Sequence, residues 1–111
     1  MSRPYPRGAV VVGPDLVGPR NRRPYLLIST DDHPFYGEEY SAVPVTSTPR
    51  RGGLELTDDR LREGELPVRS FAIPWNVVTL KHNLLFVHAG TATETATESL
   101  VERVIRYIRT R

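Results

Sequence analysis

Two short stretches of this chain carry the residue types best suited to chemistry. Arg23-Pro24 stands immediately before the apolar run Tyr25-Leu26-Leu27-Ile28-Ser29, and further on comes Val43-Pro44-Val45-Thr46-Ser47. Each sets one polar residue at the edge of an otherwise buried strand. An arginine before one strand and a hydroxyl at the end of the next face each other if the two strands pair antiparallel. A guanidinium beside a hydroxyl suits anion binding or phosphoryl transfer, because the arginine fork donates paired hydrogen bonds to anionic oxygens. Taken singly, Arg23 is a surface arginine opening a strand and Thr46 is a β-branched residue that favours strands. Taken with the basic loop before Arg23 and with Arg50-Arg51 just after Thr46, the pair competes as a site.

Those residues must be positioned by short strands and tight turns. Gly8 to Val12 reads as a buried strand ended by Gly13-Pro14, and the turn-rich segment 13–22 as a loop. Tyr25 to Ser29 is the second strand, residues 30–40 a loop, and Tyr40 to Thr46 the third strand. Pro44 predicts that part of this strand lies at an edge or bulge. Pro49-Arg50-Arg51-Gly52-Gly53 is a turn, and Leu54-Glu55-Leu56 alternates as a half-exposed strand does. Thr57 to Gly64 reads as one helical turn or a capped loop, Leu66 to Ile73 as a strand, Pro74-Trp75-Asn76 as a break, and Val77 to Leu80 as a further strand. Leu84 to Val87 is apolar and fits either a strand or a short helix. From Thr93 to Arg109, Leu100, Val101, Val104, Ile105 and Ile108 recur at helical spacing, with Thr93, Thr95 or Thr97 as N-cap. Glutamates in its first half and arginines in its second complement the helix dipole. With no long helix between the early strands, parallel crossovers are not expected. The predicted fold is mainly β: a small, curled, SH3-like antiparallel barrel with one amphipathic helix packed against it. Residues 1–111 form a single domain in this reading, with 1–7 as a loose lead-in and 93–109 as the helix.

Composition narrows the function classes. The chain has 111 residues and no cysteine, which excludes disulfides, thiol chemistry and thiolate metal sites and fits a cytosolic protein. No signal-peptide pattern and no apolar run of membrane-spanning length is present. Residues 1–23 hold five arginines against Asp15 alone, a local +4 that leaves −2 for the rest of a chain with net charge +2. Clustered arginine suits phosphate. Fourteen of the 15 basic residues are arginine, which also fits a codon bias. The histidines His33, His82 and His88 lack metal-ligand spacing, and Asp31-Asp32-His33-Pro34 reads as a solvated turn before it reads as a metal site. No glycine-rich phosphate loop is present, and no cofactor is expected.

The order of these motifs resembles the MazF/PemK family, toxin endoribonucleases of type II toxin–antitoxin systems. The likeness rests on Arg7-Gly8-Ala9-Val10-Val11, Arg22-Arg23-Pro24-Tyr25-Leu26-Leu27-Ile28-Ser29, Val43-Pro44-Val45-Thr46-Ser47, and Val68-Arg69-Ser70 followed by Val78-Thr79-Leu80, with the C-terminal amphipathic helix after them. It spans roughly residues 7–108, and each piece alone is short. The resemblance implies Arg23 and Thr46 as catalytic residues. RNA contacts are expected from Arg20, Arg22, Ser47, Arg50, Arg51 and Arg69. It implies metal-independent, sequence-selective cleavage of single-stranded RNA by 2′-OH attack, a homodimer, a cognate antitoxin with an acidic segment, and action in the cytoplasm. Tyr25, Phe35 and Tyr36 are candidates for base stacking. Water, His33 or an arginine are open as general base. The chain departs from the family where some members place an aspartate shortly after the Arg69 position; Phe71 and apolar neighbours stand here. Ala9 stands where an acidic residue often follows the first-strand glycine, and the 13–22 loop has its own sequence. The missing aspartate favours the alternative, a non-catalytic RNA- or protein-binding module of the same fold. A third reading, an interaction domain with a merely solvated basic loop, predicts no salt-dependent RNA binding.

Overall fold

The computed structural model describes residues 3–110, and among these residues the chain forms eight strands and one α-helix. Met1 and Ser2 of the expected lead-in, and Arg111, lie outside the described residues. The strands are β1 (Ala9–Pro14), β2 (Arg22–Leu27), β3 (Glu39–Thr46), β4 (Leu54–Glu55), β5 (Leu61–Gly64), β6 (Phe71–Ala72), β7 (Val78–Lys81) and β8 (Val87–Ala92), followed by α1 (Glu94–Ile108). All strand pairs are antiparallel, in the order β4-β6-β3-β2-β1-β8-β5, with β7 also on β3. The result is a curled antiparallel sheet forming a half-barrel with the helix against it, which is the expected fold class.

Strand alternation splits the apolar residues into two cores, because successive side chains point to opposite faces. Val10, Leu26, Val43 and Val45 face α1 and pack with its Ala96, Leu100 and Val104. Ala9, Val11, Tyr25, Leu27, Tyr40, Ala42 and Leu80 pack on the opposite face, partly covered by Tyr5 and Leu85. The helix begins at the first of the three candidate caps: the Thr93 side chain accepts a hydrogen bond from the Ala96 N–H (3.1 Å).

Three elements differ from the sequence reading. Thr57–Gly64 is a 3-10 turn over Asp58–Arg60 followed by β5, which pairs with β8. Of Leu66–Ile73 only Phe71–Ala72 is strand; Pro67, without an N–H, falls in the part that is not. Of Leu84–Val87, which fits either strand or short helix in the sequence, Leu84 ends a 3-10 turn and Val87 opens β8, which runs to Ala92 between β1 and β5. At Gly64–Gly90 the two backbones approach closely: a Cβ on Gly64, whose φ is +80, would lie 2.5 Å from the Ala89 carbonyl oxygen. Glycine is what the position admits.

Pro44 lies inside the sheet rather than on its edge. One side of β3 is paired with β2; the other is shared, residues 39–42 with β7 and residues 45–46 with β6. Pro44 sits at the change of partner. Its carbonyl accepts the Ile73 N–H (2.9 Å) on that side, so the N–H it lacks falls where no ladder needs one.

Candidate active site

The β2–β3 register brings Arg23 and Thr46 together. The ladder ends at Tyr25–Pro44, and Arg23 and Thr46 lie two residues beyond that pair, one on each strand. Both line a cleft of about 290 Å³, shared with Val17, Pro44, Thr48, Arg50, Ile73, Trp75 and Asn76. This is at the small end for a ligand pocket and fits a phosphate with part of a nucleotide better than a large organic ligand.

Arg23 is fixed by Asp15. Its Nε donates to Asp15 Oδ1 (3.1 Å), and the two side chains are 15% and 0% exposed. Asp15 Oδ1 also accepts the backbone N–H groups of Val17 (3.0 Å) and Gly18 (2.8 Å), and Oδ2 accepts that of Arg20 (3.0 Å). Burial alone would raise the Asp15 pKa; the hydrogen bonds from Val17, Arg23, Arg20 and Gly18 outweigh it and hold the carboxyl at about 2. The aspartate is therefore ionised and saturated. One of the five N–H donors of Arg23 is spent on it, and the others remain for the cleft. Gly18 lets the loop close over the pair: a Cβ there would lie 3.1 Å from Asp15 Oδ2 and 3.2 Å from Arg23 Nη2.

The same loop is held from the other core by Tyr25. Its hydroxyl donates to the Pro14 carbonyl (2.7 Å) and accepts the Leu16 N–H (2.9 Å), fixing the residues on either side of Asp15. Burial raises the Tyr25 pKa. Tyr25 is thus wholly buried, and this corrects its candidacy for base stacking. Thr46 Oγ1 accepts the Thr48 N–H (3.2 Å), which uses a lone pair and leaves the hydroxyl hydrogen free to donate.

The other predicted residues distribute as follows. Arg50 lines the cleft, its guanidinium 5.2 Å from the centre of the Trp75 ring. Arg20, Arg22, Ser47 and Arg51 are exposed near it in sequence but are not among its lining residues. Arg69 is also outside the lining: it pairs with Glu55 (Nε–Oε2 2.7 Å, Nη2–Oε1 3.1 Å) and lies over Phe71. That ion pair raises the Arg69 pKa and lowers that of Glu55. His33 Nδ1 accepts the Phe35 N–H (3.0 Å), His82 is bonded to the Tyr40 hydroxyl (2.7 Å) and His88 to Thr91 (2.8 Å); none lines the cleft. Among the described residues, no group of three His, Asp or Glu side chains is arranged to hold a metal ion.

Phe35 is exposed but lines a different cavity of about 470 Å³, with Glu38, Glu39, Lys81 and His82. There Lys81 is paired with Glu39 (2.7 Å), so no unpaired cation faces that space and it does not suit phosphate. Tyr36 is likewise exposed and is not in the cleft lining. The aromatic residue beside Arg23 and Thr46 is Trp75, which the sequence reading passed over as part of a strand break. The signal was present: the chain's single tryptophan, in a turn.

No protein-family model matches the chain, and no curated protein matches it significantly. Solved structures share its fold along nearly the whole length. An endoribonuclease in complex with its cognate antitoxin from a mycobacterial species superposes with TM-score 0.73 at 17% identity, covering 96% of this chain and 95% of that one. The Mycobacterium tuberculosis toxin MazF-mt6 gives TM-score 0.66 at 17% identity, covering 95% of each chain. MazE–MazF from Deinococcus radiodurans gives 0.71 at 16% identity, over 99% of this chain and 100% of that one. The fold of this chain is the MazF fold. Among the described residues, no helix is long and apolar enough to cross a membrane.

Proposed function

We propose that this chain is a MazF/PemK-type toxin of a type II toxin–antitoxin pair: a metal-independent, sequence-selective endoribonuclease that cleaves single-stranded RNA in the cytoplasm. The observation that carries the reading is Arg23, anchored by Asp15 and set with Thr46 in one cleft on a MazF fold. In the proposed reaction the RNA 2′-oxygen bonds to the adjacent phosphorus and the bond to the 5′-oxygen breaks. The products are a 2′,3′-cyclic phosphate and a 5′-hydroxyl. Negative charge grows on the nonbridging oxygens, where the preorganised donors of Arg23 stabilise it. Thr46 donates its hydroxyl hydrogen to the same phosphate. With no histidine in the cleft lining, water takes the 2′-OH proton, and the leaving oxygen is protonated by Arg23 or by water.

The exposed arginines Arg20, Arg22, Arg50 and Arg51 supply the attraction for the RNA backbone, with Ser47 and Arg69 as further contacts. The same positive surface suits an acidic antitoxin segment, which would compete with substrate. A homodimer sets two such surfaces side by side.

The test is cleavage of a long mixed-sequence RNA in excess EDTA with fragment ends mapped. Discrete cuts ending in cyclic phosphate are expected, and Arg23→Ala is expected to lower the rate about 100- to 1000-fold while folding normally. Equal cleavage by a folded Arg23→Ala protein sinks the assignment. A second reading, a binding module that grips RNA or a partner without cutting, is favoured by the cleft's lining, which has no histidine and no carboxylate. It predicts salt-dependent binding without product, retained in Thr46→Ala.

A further inference from the structure

Trp75 sits in the turn between β6 and β7, lines the same cleft as Arg23 and Thr46, and is 37% exposed. Its ring is braced from α1. Tyr107 meets it edge-on, with centroids 5.9 Å apart and planes at 85°. Gly52, at φ +89, leaves room for both rings: a Cβ there would lie 3.2 Å from Trp75 Cζ3 and 2.8 Å from the Tyr107 hydroxyl. Arg103 Nη1 donates to the carbonyls of Gly52 (3.3 Å) and Gly53 (3.0 Å), so the turn beneath the indole is tied to the helix. Against this rigid ring lies one adaptable group, the guanidinium of exposed Arg50. A planar, delocalised cation on an indole face shows that the face accepts a planar group.

We propose that Trp75 is a nucleobase-stacking platform and that Asn76 reads the edge of the stacked base, which makes this pair a determinant of RNA selectivity. The inference rests on the RNA-cleaving reading above and adds a subsite to it. A phosphate held between Arg23 and Thr46 leaves its flanking base in the same cleft, beside the indole. On binding, the base takes the place of Arg50, whose guanidinium turns to a phosphate. One cation–π contact is thereby exchanged for a base stack and an ion pair. The Asn76 amide carries both donors and an acceptor and lines the cleft, which equips it to hydrogen-bond a base edge.

Because Trp75 is the only tryptophan, its emission reports on this subsite alone. The experiment titrates a mixed-sequence, uncleavable 2′-fluoro single-stranded RNA into the full chain, reading RNA anisotropy and tryptophan emission together. A matched oligonucleotide with abasic positions keeps the phosphates and removes the bases. Expected are quenching along the same isotherm as the anisotropy, and abasic binding weaker by about tenfold to a hundredfold without quenching. Trp75→Phe is expected to keep most of the affinity. Trp75→Leu, with folding checked by circular dichroism, is expected to bind intact RNA only as well as it binds the abasic strand. RNA binding seen by anisotropy with unchanged emission overturns the platform and leaves the RNA reading standing. Equal affinity for abasic and intact strands does the same. No binding of either strand overturns the RNA reading itself, and the platform with it.

Discussion

Tyr25→Phe removes one oxygen from the protein and two hydrogen bonds from the loop that holds Arg23. Phenylalanine fills the same buried space, so the change isolates the hydroxyl. The Pro14 carbonyl loses its 2.7 Å donor and the Leu16 N–H its 2.9 Å acceptor. An unsatisfied buried polar group costs about 1–3 kcal/mol. Leu16 is a largely exposed residue and water can reach its backbone, so the two losses together come to about 2 kcal/mol rather than the sum of two full penalties. At about 2.1 cal/mol/K of unfolding entropy per residue over 111 residues, that lowers Tm by about 9 °C. Pro14 and Leu16 flank Asp15, so the anchor of Arg23 loosens as well. The RNA cleavage rate is expected to fall between about threefold and a hundredfold, as displacement of a catalytic group by a fraction of an ångström does. Thermal melting by far-UV circular dichroism and cleavage at a temperature where both proteins are folded read the two effects. A Tm within about 2 °C of the parent, with unchanged cleavage, refutes the coupling of Tyr25 to the loop.

Two further outcomes follow from named groups. The folded-state pKa of Asp15, about 2, lies below its ordinary value of 3.8. Its contribution to stability is therefore complete above that ordinary value and is lost as pH falls from there through about 2; Asp15→Asn is expected to flatten the stability–pH curve in that window, measured by urea unfolding at stepped pH. Thr93→Ala, which removes the N-cap acceptor of α1, is expected to cost about 1 kcal/mol. Thr95→Ala, an exposed change within the first turn, is expected to leave the urea midpoint nearly unmoved, and equal effects of the two would contradict the capping assignment.

The readable parts of the fold are those with strong local patterning. Val10, Leu26 and Val43 alternate with their neighbours across two cores, and Leu100 and Val104 repeat at helical spacing, so β1, β2, β3 and α1 stand out in the sequence. The pairing that brings Arg23 and Thr46 together follows from the order of two antiparallel strands and a hydroxyl at the end of the second. What was not legible is nonlocal. Strand β8, Val-His-Ala-Gly-Thr-Ala, has little apolar alternation because Val87 and His88 are exposed and Gly90 faces a backbone instead of a side chain. Its strand character comes from lying between β1 and β5. Arg69 resembles a site arginine by position, yet Glu55 is within reach across the β4–β6 pair and engages it. Trp75 falls in a segment with no periodicity, and its neighbours in the cleft region, Arg50 and Tyr107 of α1, are distant in sequence.

The change of partner at Pro44 divides the hydrogen bonding along one side of β3 between two short strands. With β7 on residues 39–42 and β6 on residues 45–46, no single neighbour has to peel away from the whole of β3. Each short partner detaches against only its own few ladder bonds. The seam between them lies in the floor of the cleft, where Pro44, Thr46 and Ile73 meet. Few ladder bonds hold each partner, the condition under which a segment opens locally without the rest of a sheet. Opening at β6 would widen the cleft for the proposed RNA while the β7 ladder and the Tyr40–Leu80 core behind it keep their register.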